Sequence, residues 1–169
     1  MPSNLPKPAG YCRPGGVFAL SGPDLQEFLK AVLAKGVSFR FRARGFSMHP
    51  FIQDGDVLTV APCHGKSPRP GDVVAFRHPI NQKLVVHRLI ARLQSGCLMR
   101  GDGSPEADGL TPWENVIGAV SRVERGGRPV RLGLGPERRL IAWLSRRELL
   151  QPLIHLVSQV RQLAFGRSP

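Results

Sequence analysis

Ser47 stands where a hydroxyl could be made to react. It lies in Gly45-Phe46-Ser47-Met48-His49-Pro50-Phe51-Ile52-Gln53-Asp54-Gly55-Asp56, between a glycine and a Met-X-Pro turn, directly after a stretch of strand-like alternation. A serine held there can expose its hydroxyl while its own N–H points the same way, which is what a nucleophile with half an oxyanion hole requires. Three further strings carry groups able to work with it: Gly71-Asp72-Val73-Val74-Ala75-Phe76, Val85-Val86-His87-Arg88-Leu89-Ile90, and Arg100-Gly101-Asp102 followed by Asp108. Taken singly, each has a plainer reading. A serine in a turn is usually a turn residue, a histidine on a strand is usually a satisfied core group, and aspartates in a Gly/Pro loop are ordinary turn formers.

The elements that must position these groups follow from periodicity. Ser21-Gly22-Pro23-Asp24 reads as a helix start, and Leu25, Phe28, Leu29, Val32 and Leu33 keep helical spacing until Gly36 stops it. From Val37 to Arg44 the period becomes two, with Val37, Phe39, Phe41 and Ala43 on one face and Arg40, Arg42 and Arg44 on the other. Further strands are expected at Val57–Ala61, Asp72–Phe76, Leu84–Arg92, Gly96–Arg100 and Val116–Val123. Turns are expected at Pro68–Gly71 and Pro79–Lys83, and the stretch Gly101–Pro112 is expected to be a connection. The predicted fold class is mainly β: a compact antiparallel domain with a short N-terminal helix and C-terminal amphipathic helices. The expected organisation is a Pro/Gly-rich tail over 1–20, a β domain with its leading helix over 21–127, and a basic helical extension over 128–169. In that extension Leu140, Trp143/Leu144, Leu150, Leu153/Ile154, Val157, Val160 and Ala164 form an apolar stripe that Pro152 breaks or kinks.

In order and spacing the four strings resemble the type I signal peptidases and the related LexA-type self-cleaving repressors, over roughly residues 40–122. The resemblance implies a β-rich catalytic domain with Ser47 as nucleophile. It puts the second catalytic residue just before an Arg-aliphatic-aliphatic run, where this chain has His87. That matches the histidine-type branch rather than the commoner lysine type; Lys83 lies four residues too early to substitute. It also implies Asp108 as the third residue, with Asp102, Gly45 and Arg88 supporting it. Met48, Pro50 and Phe51 are expected to shape the substrate groove and the nucleophile turn, and His49, His64, His78 and His155 to be structural or exposed. The division of labour is chemically coherent. A neutral imidazole, with an ordinary pKa near 6.5, can take a serine proton at neutral pH, and a carboxylate can hold its tautomer. No cofactor and no metal are needed. This chain departs from the signal peptidases at Gly45, where they usually carry an oxyanion serine, and in having no apolar run long enough for a membrane anchor.

Composition narrows the partners. Twenty-four basic against twelve acidic residues leave a net charge of +12, and eight arginines against two glutamates from residue 128 onward supply half of it. Nineteen glycines and sixteen prolines disfavour a helical bundle. Cys12, Cys63 and Cys97 imply neither a disulfide framework nor a zinc site, and Cys63-His64 is only a weak metal pair. With no secretory signal in the first residues, the expected location is the cytoplasm. The expected substrate is an extended peptide or precursor protein. Residues 135–169 are candidates for peripheral contact with an anionic membrane or another protein, while no nucleic-acid motif is evident, so nucleic acid is not the expected partner. The alternatives on the same fold are a non-catalytic binding module and a self-cleaving regulator.

Overall fold

The computed structural model describes residues 22–63 and 67–165. The expected tail over 1–20, Cys12 and His64 lie outside these residues. Eight strands form one antiparallel sheet: β1 (Phe39–Arg42), β2 (Val57–Ala61), β3 (Val73–Arg77), β4 (Leu84–Leu93), β5 (Gly96–Arg100), β6 (Ala107–Thr111), β7 (Val116–Arg125) and β8 (Arg128–Val130). Their order is β1-β2-β7-β3-β4-β5-β6, with β8 added on β7. Helix α1 (Gly22–Ala34) precedes the sheet; α2 (Arg138–Arg146) and α3 (Leu150–Phe165) follow it. The mainly β antiparallel fold is as expected.

Alternation explains the first edge. Phe39 and Phe41 pack against the main core cluster while Arg40 and Arg42 stay exposed, and Arg40 pairs with Glu124 on β7. Leu29 and Leu33 of α1 enter that same cluster with Leu58, Val60, Val73 and Ala75. A second, smaller cluster on the other side of β3 joins Val74 and Phe76 to Leu89, Cys97 and Met99. Strand β4 is buried continuously from His87 to Ala91, flanked by β3 and β5 in the sheet and packed by helices α1 and α2.

Three expectations need correction. The stretch 101–112 is not simply a connection: it contains β6, so Asp108 sits on a strand paired with β5. Its alternation is weak because its residues are mostly exposed, which removes the apolar signal. Strand β1 is shorter than Val37–Arg44: Ala43 N–H still reaches the Asp56 carbonyl in register at 2.7 Å, but the Ala43 carbonyl takes Gly55 N–H at 3.0 Å, one residue out of register. Strand β8 was not anticipated; its three residues pair with β7 through Val130 opposite Val123. The C-terminal helices divide at 147–149, where Glu148 takes φ +62°, and Pro152 sits in the first turn of α3, where a missing N–H removes no helical bond.

Gly118 on β7 marks the tightest approach in the main core. A Cβ there would stand 2.7 Å from both Leu33 Cδ1 and Val60 Cγ1 and 2.8 Å from the Ala61 carbonyl. Gly118→Val is expected to destabilise the fold by about 1–3 kcal/mol through overpacking. Unchanged stability in chemical denaturation would show that α1 does not seat on β7 as described.

Candidate active site

The turn that carries Ser47 is fastened on both sides. Gly45, at φ +96°, adopts a backbone conformation that side chains rarely accept, and its N–H donates to Asp54 Oδ1 at 2.8 Å. After it, His49 N–H bonds to the Phe46 carbonyl at 3.0 Å and Ile52 N–H to the Met48 carbonyl at 3.0 Å; the intervening His49–Pro50 peptide is cis. Buried Asp56 accepts from Gln53 N–H and from Nε and Nη2 of Arg125, whose Nη2 also reaches the Phe51 carbonyl at 3.1 Å. Burial pushes the Asp56 carboxyl up, but the hydrogen bonds from Arg125 and Gln53 and the guanidinium charge outweigh it and hold the group below its ordinary value.

Ser47 itself remains exposed, and Met48 is driven into the core with 5% of its surface accessible. Met48 therefore supports the turn from beneath and does not line an open groove. Phe51 does the same from one side, lying against Gly133 and within 5.6 Å of the Arg88 guanidinium; Pro50 is half-buried. The accessible apolar neighbour of Ser47 is Phe46, 74% exposed, which sequence reasoning gave no role.

His87 and Arg88 are successive on β4, so their side chains leave opposite faces. His87 turns to the reactive side. Its Nε2 stands 2.9 Å from Ser47 Oγ and its Nδ1 2.6 Å from Asp108 Oδ2. A carboxylate can only accept, so Nδ1 carries the proton and the Nε2 lone pair is left for the serine hydroxyl. Sequence reasoning missed His78. Its Nδ1 accepts from Ile80 N–H at 3.2 Å, which leaves Nε2–H facing Asp108 Oδ1 at 3.6 Å. The signal was available: His78 follows Phe76 at period two on the hairpin whose facing strand holds His87, and Phe76 lies within 6.1–6.4 Å of both rings.

Arg88 and Asp102 form a completely buried two-pronged pair, Nε to Oδ1 at 2.7 Å and Nη2 to Oδ2 at 2.6 Å. Arg88 Nη1 also donates to the carbonyls of Gly71 and Gly133, each at 2.8 Å. Burial pushes the Asp102 carboxyl up and the guanidinium opposes it. Neither group touches Ser47; they anchor the loop that does. On either side of Asp102, Gly101 and Gly103 lie flush against the serine turn, and Gly103 N–H donates to the Ser47 carbonyl at 2.8 Å. A Cβ on Gly101 would collide with that carbonyl and stand 3.1 Å from His87 Nε2. From behind, Arg100 donates to the carbonyls of Ser104, Pro105 and Ser145, and Gln151 Nε2 to that of Asp102. Residues from α2 and α3 thus brace the loop under the serine. Nothing in the local sequence of Arg100 or Gln151 reveals this bracing, because the partners are backbone carbonyls and those that link the helices to the loop, Ser145 for Arg100 and Asp102 for Gln151, lie more than forty residues away.

Among the described residues, burial disfavours the thiolate at both cysteines. Burial pushes Cys97 up to about 11 against the opposing charge of Arg92, and burial and then Asp72 raise Cys63. Gly101→Ala is expected to push the serine turn away, opening the Ser47 Oγ–His87 Nε2 distance beyond about 3.5 Å in a crystal structure of the variant. A distance kept at 2.9 Å would contradict the close-packing argument.

Comparison with known proteins bears on this site. A family model described as Peptidase S24-like matches residues 18–99, a span that includes Ser47 and His87 and stops short of Asp108. No curated protein and no solved structure matches the chain. The Peptidase S24-like match, which spans just under half of the chain, and the antiparallel β fold support the LexA-like and signal-peptidase serine peptidase superfamily, and with it a peptidase-type hydrolase at family level.

Proposed function

We propose that this chain is a serine endopeptidase that cleaves an extended peptide or precursor protein. The observation that carries the reading is the continuous contact from Ser47 Oγ through both nitrogens of His87 to Asp108. In the first step Ser47 Oγ attacks the scissile carbonyl while His87 Nε2 takes the hydroxyl proton; Asp108 stabilises the imidazolium that forms. The imidazolium then gives that proton to the departing amine, leaving an acyl-enzyme. Water, deprotonated by His87, releases the acid and regenerates the serine. Ser47 N–H is the backbone donor nearest to where the oxyanion forms. Gly45 offers no second hydroxyl, so stabilisation of charge falls on backbone groups.

The substrate conformation follows from the sheet. Both outer strands, β1 and β6, end at the site, one leading into Ser47 and the other carrying Asp108. A peptide that extends either edge brings main-chain bonds without demanding a particular side chain, and exposed Phe46 offers an apolar contact beside the scissile bond. Gly45 also favours a second reading, a peptide-binding module on the same fold that has lost turnover.

Cleavage of a peptide library, read by mass spectrometry, separates the two. Ser47→Ala and His87→Ala are each expected to lower turnover by about 10³-fold or more, and Asp108→Asn by about 10²–10⁴-fold, with folding retained. Library peptides bound but uncut by the wild type would favour the binding module. Cleavage by Ser47→Ala at the wild-type rate would overturn the serine mechanism.

A further inference from the structure

We propose that α2 and α3 dock this protein on an anionic phospholipid surface, lying along the interface without crossing it. On α2 the exposed side is one stripe: Arg139, Leu140, Trp143, Arg146 and Arg147 follow each other at helical spacing. Leu140 is 58% and Trp143 51% exposed, and the Arg147 guanidinium sits 5.6 Å from the Trp143 ring. On α3 a second stripe of Leu153, Leu156, Val157 and Val160 keeps the i, i+3, i+4, i+7 pattern and is exposed along its length. Leu149, also exposed, joins the two at the corner.

Charge selects the occupant. Between residues 131 and 165 the acidic residues are Glu137 and Glu148. Glu137 is turned inward, its Oε1 accepting from Gly133 and Gly135 N–H. Arginines beside tryptophan and aliphatic side chains suit a surface that is negative at its headgroups and apolar beneath them. A second copy fits less well, because a two-fold interface would set these arginines against their own equivalents. A nucleic acid would use the arginines but leave the aliphatic stripe of α3 in water. Among the described residues no helix is long and apolar enough to span a bilayer, which agrees with lying along the surface. The inner side of the same helices braces the site, through the Ser145 and Leu150 positions and Gln151, so docking would hold the peptidase body near the membrane.

The test is binding by the full chain to vesicles of phosphatidylcholine alone or mixed with phosphatidylglycerol, and it does not depend on the Ser47 chemistry. In a Trp113→Phe background the emission of Trp143 is expected to shift to the blue with the mixed vesicles only, and the affinity to fall as salt rises. Arg139→Gln, Arg146→Gln and Arg147→Gln are each expected to weaken binding about fivefold. The pair Leu153→Ser and Val157→Ser is expected to weaken it at least tenfold, with helicity unchanged by circular dichroism. Equal binding to both vesicle types, or binding to neither, would overturn the proposal. So would tighter binding to a DNA duplex that the Leu153→Ser, Val157→Ser pair leaves unaltered, or a dimer in light scattering that buries Trp143.

Discussion

An imidazole can relieve a serine of its proton only when its two nitrogens are given opposite tasks, and the proposed mechanism depends on that division. Asp108 claims the proton on Nδ1 of His87, so Nε2 presents a lone pair at 2.9 Å from Ser47 Oγ. The three residues arrive from a turn after β1, from β4, and from β6, elements remote in sequence that belong to one sheet. An error of about 1 Å in any of them can cost about 10²-fold in reactivity, so most of the surrounding structure serves to fix position.

Two ion pairs do much of that fixing, one wholly buried and one with its arginine exposed at the surface. Arg125 and Asp56 hold the base of the serine turn, and Arg88 and Asp102 hold the loop that closes beneath it. The buried Arg88–Asp102 pair gains little net stability over well-packed apolar residues, since desolvation offsets the attraction, but leaving one of its partners alone in the interior costs about 3–5 kcal/mol. Their value here is directional. A bidentate guanidinium admits one orientation of its carboxylate, and through Asp102 that orientation is passed to Gly101 and Gly103 against the Ser47 backbone. The C-terminal helices complete the support: Ser145 and Gln151 engage the same loop from outside the sheet.

Much of this was legible in the residues. Strict alternation made β1 readable, though not its ends, and helical spacing revealed both α1 and the C-terminal helical segment, whose division falls at 147–149 and not at Pro152. Ser47, His87 and Asp108 could be named because they stood in a recognisable order. What escaped notice has a physical explanation in each case. Strand β6 has four of its five residues at least partly exposed and one glycine, so it shows no apolar period. His78 was expected to be merely structural or exposed, because its partner, Asp108, is thirty positions away and its orientation depends on a hairpin bond to Ile80. Gly101 and Gly103 read as loop glycines until the serine turn is laid against them. Met48 resembled a groove residue by its place beside Ser47, yet a turn that exposes one side chain must bury the next.

Reaction of the purified chain with a fluorophosphonate probes the central contact without knowledge of the substrate. Mass spectrometry should find a single adduct, mapped to Ser47, forming at least about 10²-fold more slowly in His87→Ala. An adduct that forms on Ser47 equally fast without the imidazole, or a wild-type serine that never reacts, would contradict the account.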